Sequence, residues 1–308
     1  MNESILITGA NIGLGKETAR QLALKKETKK IILFCRNQAK AEEAKKDLEE
    51  KTGKKIFKII IGDVMDVNSV RRAVEKIQEP VDAVILNAGG MVGKTAAKFT
   101  PSGMNELAAT NILGHVVLVD ELIKHGKLKK TVLSVSAEAV PGVKMLGMKP
   151  VSMRTSSVDE FAAVLDGSYF GNKFDATQAY GYVKYVTTMW TLSMARKHPE
   201  LRFVVMSPGN TKGTLAPDNL PPAMKLMLKY FMMPVVFPLM GGMVHKLEVG
   251  AKRFVDGISD ERYKSGVFYA SKEGKLSGDV VDQSTFFTAL KNTTFQDNAD
   301  KAIHRFIN

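Results

Sequence analysis

A doubly wound parallel α/β sheet is the fold this sequence predicts, on three observations. Short, continuously apolar runs alternate with longer amphipathic segments over the first two-thirds of the chain, as strands buried on both faces between helices require. A glycine-rich turn, Thr8-Gly9-Ala10-Asn11-Ile12-Gly13-Leu14-Gly15, joins the first such run to the first helical segment. No internal repeat or low-complexity linker divides the 308 residues, so one domain, 1–308, accounts for the whole core.

The elements follow in order. Ser4–Thr8 reads as a strand and Gly15–Lys26 as the helix after it. Lys30–Cys35 is the second strand, and Gln38–Lys51 is a charged helix closed by Gly53, a residue suited to a left-handed C-terminal cap. Ile56–Ile61 and Asn68–Gln78 repeat the unit, and Val81–Leu86 is the fourth strand. A long helix is expected from about Pro101 to His125, then a fifth strand at Thr131–Ser136. The connection 138–175 reads as an inserted loop with one short helix. There Ser157-Val158-Asp159-Glu160 fits a capping box and Gly167 a stop. Tyr180 lies in a helix running to about Lys197, followed by a strand at Arg202–Met206. Residues 214–245 are rich in Met, Leu, Phe and Pro. A helix from about Leu247 to Ile258, a strand at Gly266–Ala270 and one or two helical pieces after Ser284 complete the chain. The sum is a Rossmann-type, single-domain sheet.

Composition narrows the function. The formal net charge is +12, but Lys and Arg are mixed with Glu along helix-like segments such as 40–55, which suits a solvated surface rather than a nucleic-acid footprint. Cys35 is the only cysteine, so no internal disulfide forms, and a reducing, cytoplasmic setting fits. The first strand begins near Ser4, which leaves no room for a targeting peptide. The apolar run Tyr230–Val244 is broken by Pro234, Pro238 and Gly241-Gly242 and is too short to span a bilayer. Five scattered histidines and a lone cysteine give no metal-ligand spacing.

Three constellations carry chemistry. The glycines of 8–15 permit a tight turn and close backbone approach to a pyrophosphate, and the helix N-terminus supplies free N–H groups; the alternative is a glycine turn with no ligand. After the second strand, Phe34-Cys35-Arg36-Asn37 offers no acid for a free ribose 2′-hydroxyl. Arg36, helped by Lys40, suits a 2′-phosphate instead, so NADP(H) is favoured over NAD(H); the alternative is that Arg36 is a plain surface residue. Tyr180 and Lys184 stand four apart, on one helix face. An ammonium beside a phenol lowers its pKa and prepares it to exchange a proton with a carbonyl oxygen.

Taken in order, these motifs resemble the short-chain dehydrogenase/reductase family from Ile5 to about Gln283, in its retinol-dehydrogenase-like or carbonyl-reductase-like branch. The resemblance assigns Gly9, Asn11, Ile12, Gly13, Leu14 and Gly15 to the coenzyme's phosphates, Arg36 to its ribose phosphate, and Asp63 and Val64 to its adenine. It places Asn87-Ala88-Gly89 over the adenine ribose, and Pro208, Gly209 and Thr211, within Ser207-Pro208-Gly209-Asn210-Thr211, at the nicotinamide. It makes Tyr180 the general acid, with Lys184 lowering its pKa and holding the nicotinamide ribose, and Asn111, in Asn111-Ile112-Leu113-Gly114-His115, positioning a relay water. A serine at the end of the fifth strand polarises the carbonyl in this family. Here the run is Ser134-Val135-Ser136-Ala137. Strict register puts Ala137 at that position, and a one-residue shift is needed for Ser136 to serve. Protochlorophyllide reductases share part of the pattern, but their additional cysteine has no counterpart.

The expected reaction is hydride transfer between a nicotinamide coenzyme and a lipophilic carbonyl or alcohol, with 214–245 as an apolar substrate lid. The Met-rich sequence there fits core packing or a contact between like subunits equally, and Lys225 and Lys229 leave peripheral membrane contact open. The competing reading is a nucleotide-binding regulatory or scaffold protein of the same fold with little turnover, which Ala137 favours and the Tyr180, Lys184, Asn111 set opposes.

Overall fold

Every residue of β4 (Val81–Leu86) is buried, as a central strand covered on both faces must be. The computed structural model describes residues 2–91, 98–143, 149–171, 175–212, 244–273 and 275–307. They form an eight-stranded sheet in the order β3-β2-β1-β4-β5-β6-β7-β8. β1 (Ser4–Thr8), β2 (Lys30–Cys35), β3 (Phe57–Ile61), β4, β5 (Leu128–Val135), β6 (Arg202–Met206) and β7 (Val267–Ser271) are parallel. The short β8 (Val280–Asp282) pairs antiparallel with β7. The chain winds outward from β1 to β3, then returns to place β4 on the other edge of β1. That reversal is the switch point beyond whose carboxyl ends doubly wound sheets bind ligands.

Two apolar layers sandwich the sheet. On one face Ile5, Ile7, Leu33, Leu133 and Val204 pack with Leu22 of α1 (Gly13–Ala23), Leu48 of α2 (Gln38–Thr52) and Phe254 of α8 (Leu247–Ser259). On the other, Leu6, Val84, Val132 and Phe203 pack with Val70 of α3 (Val67–Glu75), Val116 of α5 (Gly114–Lys124), Phe161 of α6 (Val158–Asp166), Trp190 of α7 (Ala176–Lys197) and Ala299 of α9 (Thr293–His304). Local chemistry sets the boundaries. Asn37, Asp66, Ser157, Asp175 and Asn292 cap α2, α3, α6, α7 and α9, and Gly53 and Gly167 end α2 and α6 in the left-handed conformation.

The strands and most helices lie where the sequence puts them, with four differences. The helix expected over 101–125 starts only at Asn105, whose side chain caps the single turn α4 (Glu106–Ala108). It then widens into a π turn, Ala109–Leu113, before α5. At the end of this turn the Gly114 N–H leaves the helical ladder and donates to Val64 O at 2.8 Å, a local rearrangement that apolar periodicity does not reveal. β8 is too short to show a period. The capping box at Ser157 is half made: its Oγ accepts from the Glu160 N–H at 3.2 Å, while the Glu160 carboxylate reaches past it to the amides of Arg154, Thr155 and Ser156. The fifth strand ends at Val135, one residue short of Ser136. The expected lid, 214–245, lies outside the described residues except for Val244 and His245. No helix among the described residues is long and apolar enough to cross a membrane.

The C-terminal helix is tied down by His304, whose Nε2 is 3.0 Å from Asp120 Oδ2 on α5 and whose Nδ1 donates to Asp300 O at 2.9 Å. The bond to Asp120 is the main cause that raises this imidazole to about 9. A raised histidine stabilises the fold fully below its unfolded pKa near 6.5 and loses that contribution as pH rises through about 9. His304→Gln should therefore lower the unfolding midpoint at pH 6 and leave it near the parent's at pH 10; an equal loss at both pH values contradicts this linkage.

Candidate active site

The carboxyl ends of β1, β4, β5 and β6 gather the expected residues along one edge of the sheet. At β1 the chain turns on Gly9 and Gly13, with φ of +64° and +56°, values open to glycine at little cost. A side chain on Gly15 would overlap Gly9 O and the Asn87 amide. Unlike α2, α3, α6, α7 and α9, α1 has no side-chain cap; its N-cap is Ile12, an aliphatic residue left 72% exposed. The turn of Gly9, Asn11, Ile12, Gly13, Leu14 and Gly15 thus presents an uncapped helix start with backbone close at hand, which fits the pyrophosphate of a dinucleotide. Cys35 is buried beside the amides of Ala10 and Asn11, and burial pushes its thiol up to about 11, so it stays protonated.

Beyond β2 and β3 lie Arg36, Asp63 and Val64. Arg36 is 72% exposed, with Nη1 3.9 Å from Asp63 Oδ2. Asn37 is committed to capping α2 through Lys40 N, and the exposed Arg36 guanidinium stands beside Asp63 at this turn. Asp63 Oδ1 accepts from Met65 N at 3.0 Å. The carbonyl of Val64 receives the Gly114 amide, and a side chain on Gly114 would overlap the Val64 backbone.

Asn87, Ala88 and Gly89 form a turn laced to β1. Asn87 Nδ2 donates to Thr8 O at 2.9 Å, and Ala88 N–H to Thr8 Oγ1 at 2.9 Å. Asn111 holds the next residue from the π turn. Its Oδ1 accepts from Gly90 N at 3.0 Å, and its Nδ2 donates to Gly90 O at 2.9 Å and Leu107 O at 2.8 Å. Its side chain is therefore fully engaged with backbone, and a relay water would have to use its main-chain carbonyl. His115 Nδ1 lies 3.2 Å from that carbonyl and its Nε2 3.0 Å from Thr8 Oγ1. A carbonyl only accepts, so Nδ1 carries the proton and Thr8 donates to Nε2. Burial and the field of Lys184 hold this imidazole down at about 3, hence neutral.

Tyr180 and Lys184 share one face of α7. Lys184 is only 3% exposed. Its Nζ donates to Val135 O at 3.0 Å and sits 5.6 Å from the centre of the Tyr180 ring, a cation–π distance. Burial pulls the ammonium down to about 8 and pushes the phenol up to about 12. The spacing of the pair is as expected, but the lowered phenol pKa is not present: desolvation outweighs an ammonium that meets the face of the ring.

Ser136 is placed elsewhere than the sequence expectation put it. It continues the face of Val132 toward α7, is 1% exposed, and lies with Oγ 2.8 Å from Thr188 Oγ1. Thr188 donates its own proton to Lys184 O at 2.8 Å, so Ser136 is the donor between the two hydroxyls. Eight residues separate Tyr180 from Thr188, about 12 Å along a helix axis. The one-residue shift that would bring Ser136 to the phenol does not occur. Ala137, partly exposed, takes the next position.

Past β6, Ser207, Pro208, Gly209, Asn210 and Thr211 form a loop locked to its surroundings. Thr211 is buried, with Oγ1 3.3 Å from Pro208 O and 3.2 Å from Gly209 O, and His245 Nε2 donates to Pro208 O at 2.7 Å. Sequence reasoning missed Thr188, His245 and the partnership of His115. A threonine two turns beyond Tyr180 and a histidine directly after Gly114 were visible, but neither spacing discloses a partner. Among the described residues no group of His, Cys, Asp and Glu could hold a metal ion.

Comparison with known proteins identifies the family. The model of the short chain dehydrogenases matches residues 3–140. Protochlorophyllide reductase B of Oryza sativa subsp. japonica is 30% identical over 305 residues, which cover 90% of this chain and 73% of that protein. Dehydrogenase/reductase SDR family member 12 of Bos taurus is 31% identical over 210 residues, 67% of this chain; the match spans 60% of that relative's length. The NADPH-bound carbonyl reductase from chicken fatty liver superposes with a TM-score of 0.56 at 18% identity, covering 90% of this chain and 99% of that one. The chain belongs to the short-chain dehydrogenase/reductase family.

The buried lysine has a measurable signature. Its folded pKa of about 8 lies below the unfolded value near 10.5, so between those pH values the unfolded chain binds more protons and stability rises with pH. Lys184→Met removes that slope. The parent's unfolding midpoint, taken relative to the variant's, should climb from pH 8 to pH 10.5; a constant difference would show that Lys184 is not held in a desolvated site.

Proposed function

We propose that the protein is an NADP(H)-dependent reductase of lipophilic aldehydes or ketones, in which Tyr180 is the general acid. The observation that carries this reading is the pairing of the Tyr180 ring with a buried Lys184 ammonium anchored to Val135 O, at the end of β5. When bound, the coenzyme would supply the hydride that adds to the carbonyl carbon. Tyr180 would give its proton to the carbonyl oxygen as charge develops there, and a phenol held near 12 remains protonated at neutral pH, which suits reduction better than oxidation. Lys184 would hold the nicotinamide ribose and balance the phenolate. The Asn111 carbonyl, fixed by His115, would orient a water that returns the proton. Arg36 would meet the 2′-phosphate, Asp63 and Val64 the adenine, Asn87, Ala88 and Gly89 the adjoining ribose, and Pro208, Gly209 and Thr211 the nicotinamide. With its hydroxyl given to Thr188, Ser136 would hold α7 in register rather than touch substrate.

A lipophilic substrate is supported by Met91, 42% exposed beside Thr177, one turn before Tyr180, together with the Met-rich sequence 214–245. One observation favours the second reading, coenzyme binding with little turnover: no hydroxyl stands at Ala137.

Purified protein with NADPH and a panel of apolar aldehydes and ketones should consume the reduced coenzyme. Tyr180→Phe should lower the rate by about 10²-fold or more, whereas Ser136→Ala should cost less than about tenfold. Arg36→Asp should weaken NADPH by about tenfold or more while sparing NADH. Tight NADPH binding with no turnover on any carbonyl would establish the second reading; a fully active Tyr180→Phe would remove the acid assignment.

A further inference from the structure

We propose that Glu138 and Arg253 are positioning residues whose buried ion pair sets the shape of the nicotinamide end of the site. The inference rests on the coenzyme reading above. It starts from a charge where none is needed for packing. The buried face of α8 is otherwise apolar, with Ala251, Phe254, Val255 and Ile258, yet Arg253 on that face is 5% exposed and its partner Glu138 7%. Taking both charges from water is costly and is repaid only by full hydrogen bonding.

That bonding joins three strand ends. Arg253 Nη1 donates to Ser207 O at 3.1 Å, beyond β6, and to Glu138 Oε1 at 3.4 Å, beyond β5. Its Nη2 donates to Ser271 Oγ at 3.0 Å, at the end of β7, and to Gly278 O at 2.9 Å. Glu138 Oε1 also accepts from Ser271 N at 3.0 Å and Ser271 Oγ at 2.8 Å. Burial pushes the Glu138 carboxyl up, and the Ser271 donors and the guanidinium pull it back toward the charged form.

The clamp touches the proposed nicotinamide loop directly. Gly209 has φ +72°, and a side chain there would come within 2.8 Å of Arg253 Nη1; the loop backbone lies on the guanidinium itself. On the β5 side, Glu138 directly follows Ala137, and three residues before it is Val135, whose carbonyl anchors Lys184. One planar fork thus fixes the separation of the two loops between which the nicotinamide ring would lie. Lysine cannot reproduce it, because a single ammonium lacks the fork geometry.

The test compares whole coenzyme with a fragment that reaches only the Arg36 end. Calorimetry would measure NADPH and adenosine 2′,5′-bisphosphate binding to the parent, Arg253→Lys, Glu138→Gln, and the double variant Glu138→Leu/Arg253→Met, which leaves no unpaired buried charge. Each variant should bind NADPH about tenfold or more weakly and the bisphosphate within about twofold of the parent, since only the loops at the clamp are released. A double variant that keeps the parent's unfolding midpoint and still loses NADPH selectively supports positioning over mere stability. Equal weakening of both ligands, or full NADPH affinity in the folded double variant, overturns the inference while leaving the coenzyme reading intact. A parent that binds neither ligand overturns both.

Discussion

The hydrogen bond from the Lys184 ammonium to the carbonyl of Val135 is the constraint on which the site depends. It joins α7 to the last residue of β5, so the helix that carries Tyr180 cannot slide along the sheet without stranding a buried charge. The cost is plain in the lysine's own chemistry: burial pulls it down to about 8, which leaves it mostly charged at neutral pH but only just. Thr188 and Ser136 make a second tie between the same two elements, one helical turn farther along. A helix held at two points keeps the Tyr180 phenol in a fixed position against β5.

Around that anchor the carboxyl edge of the sheet is organised by backbone contacts more than by side-chain pairs. Thr8 holds the 87–89 turn, Asn111 holds Gly90, and Gly114 gives its amide to Val64. The π turn is what makes this possible. By widening the helix at Ala109–Leu113 it frees the Gly114 amide, which a regular helix would consume. His115, kept neutral by burial, then fixes the carbonyl of Asn111. Among the described residues the site carries the cations Lys184, buried, and Arg36, exposed beside Asp63.

Much of this was legible in the sequence because it is local. The strands are continuous apolar runs such as Ile31–Phe34 and Ala83–Leu86, the caps are Asn, Asp and Ser at helix starts, and the glycine turn, Asn87-Ala88-Gly89 and Tyr180/Lys184 are short motifs at fixed spacing. What the sequence hid is long-range. Ser136 and Thr188 lie 52 positions apart, and Glu138 and Arg253 lie 115 apart, so their pairing exists only once the sheet has formed. The π turn was hidden for a different reason: Ala109–Leu113 has good helical periodicity, and only the reach of Gly114 to Val64 distinguishes it. The phenol's acidity was misjudged because spacing gives the distance between two side chains but not how far each is taken out of water.

The most direct measurement is a spectrophotometric titration of phenolate formation, with and without saturating oxidised coenzyme, in the parent and in Tyr180→Phe. If Tyr180 stands beside the nicotinamide, the ring's positive charge will lower one tyrosine by roughly 1–3 pKa units from its position near 12, and that component will be missing from the variant. Identical titration curves with and without bound coenzyme would contradict the account, because the phenol would then lie outside the crevice the coenzyme occupies.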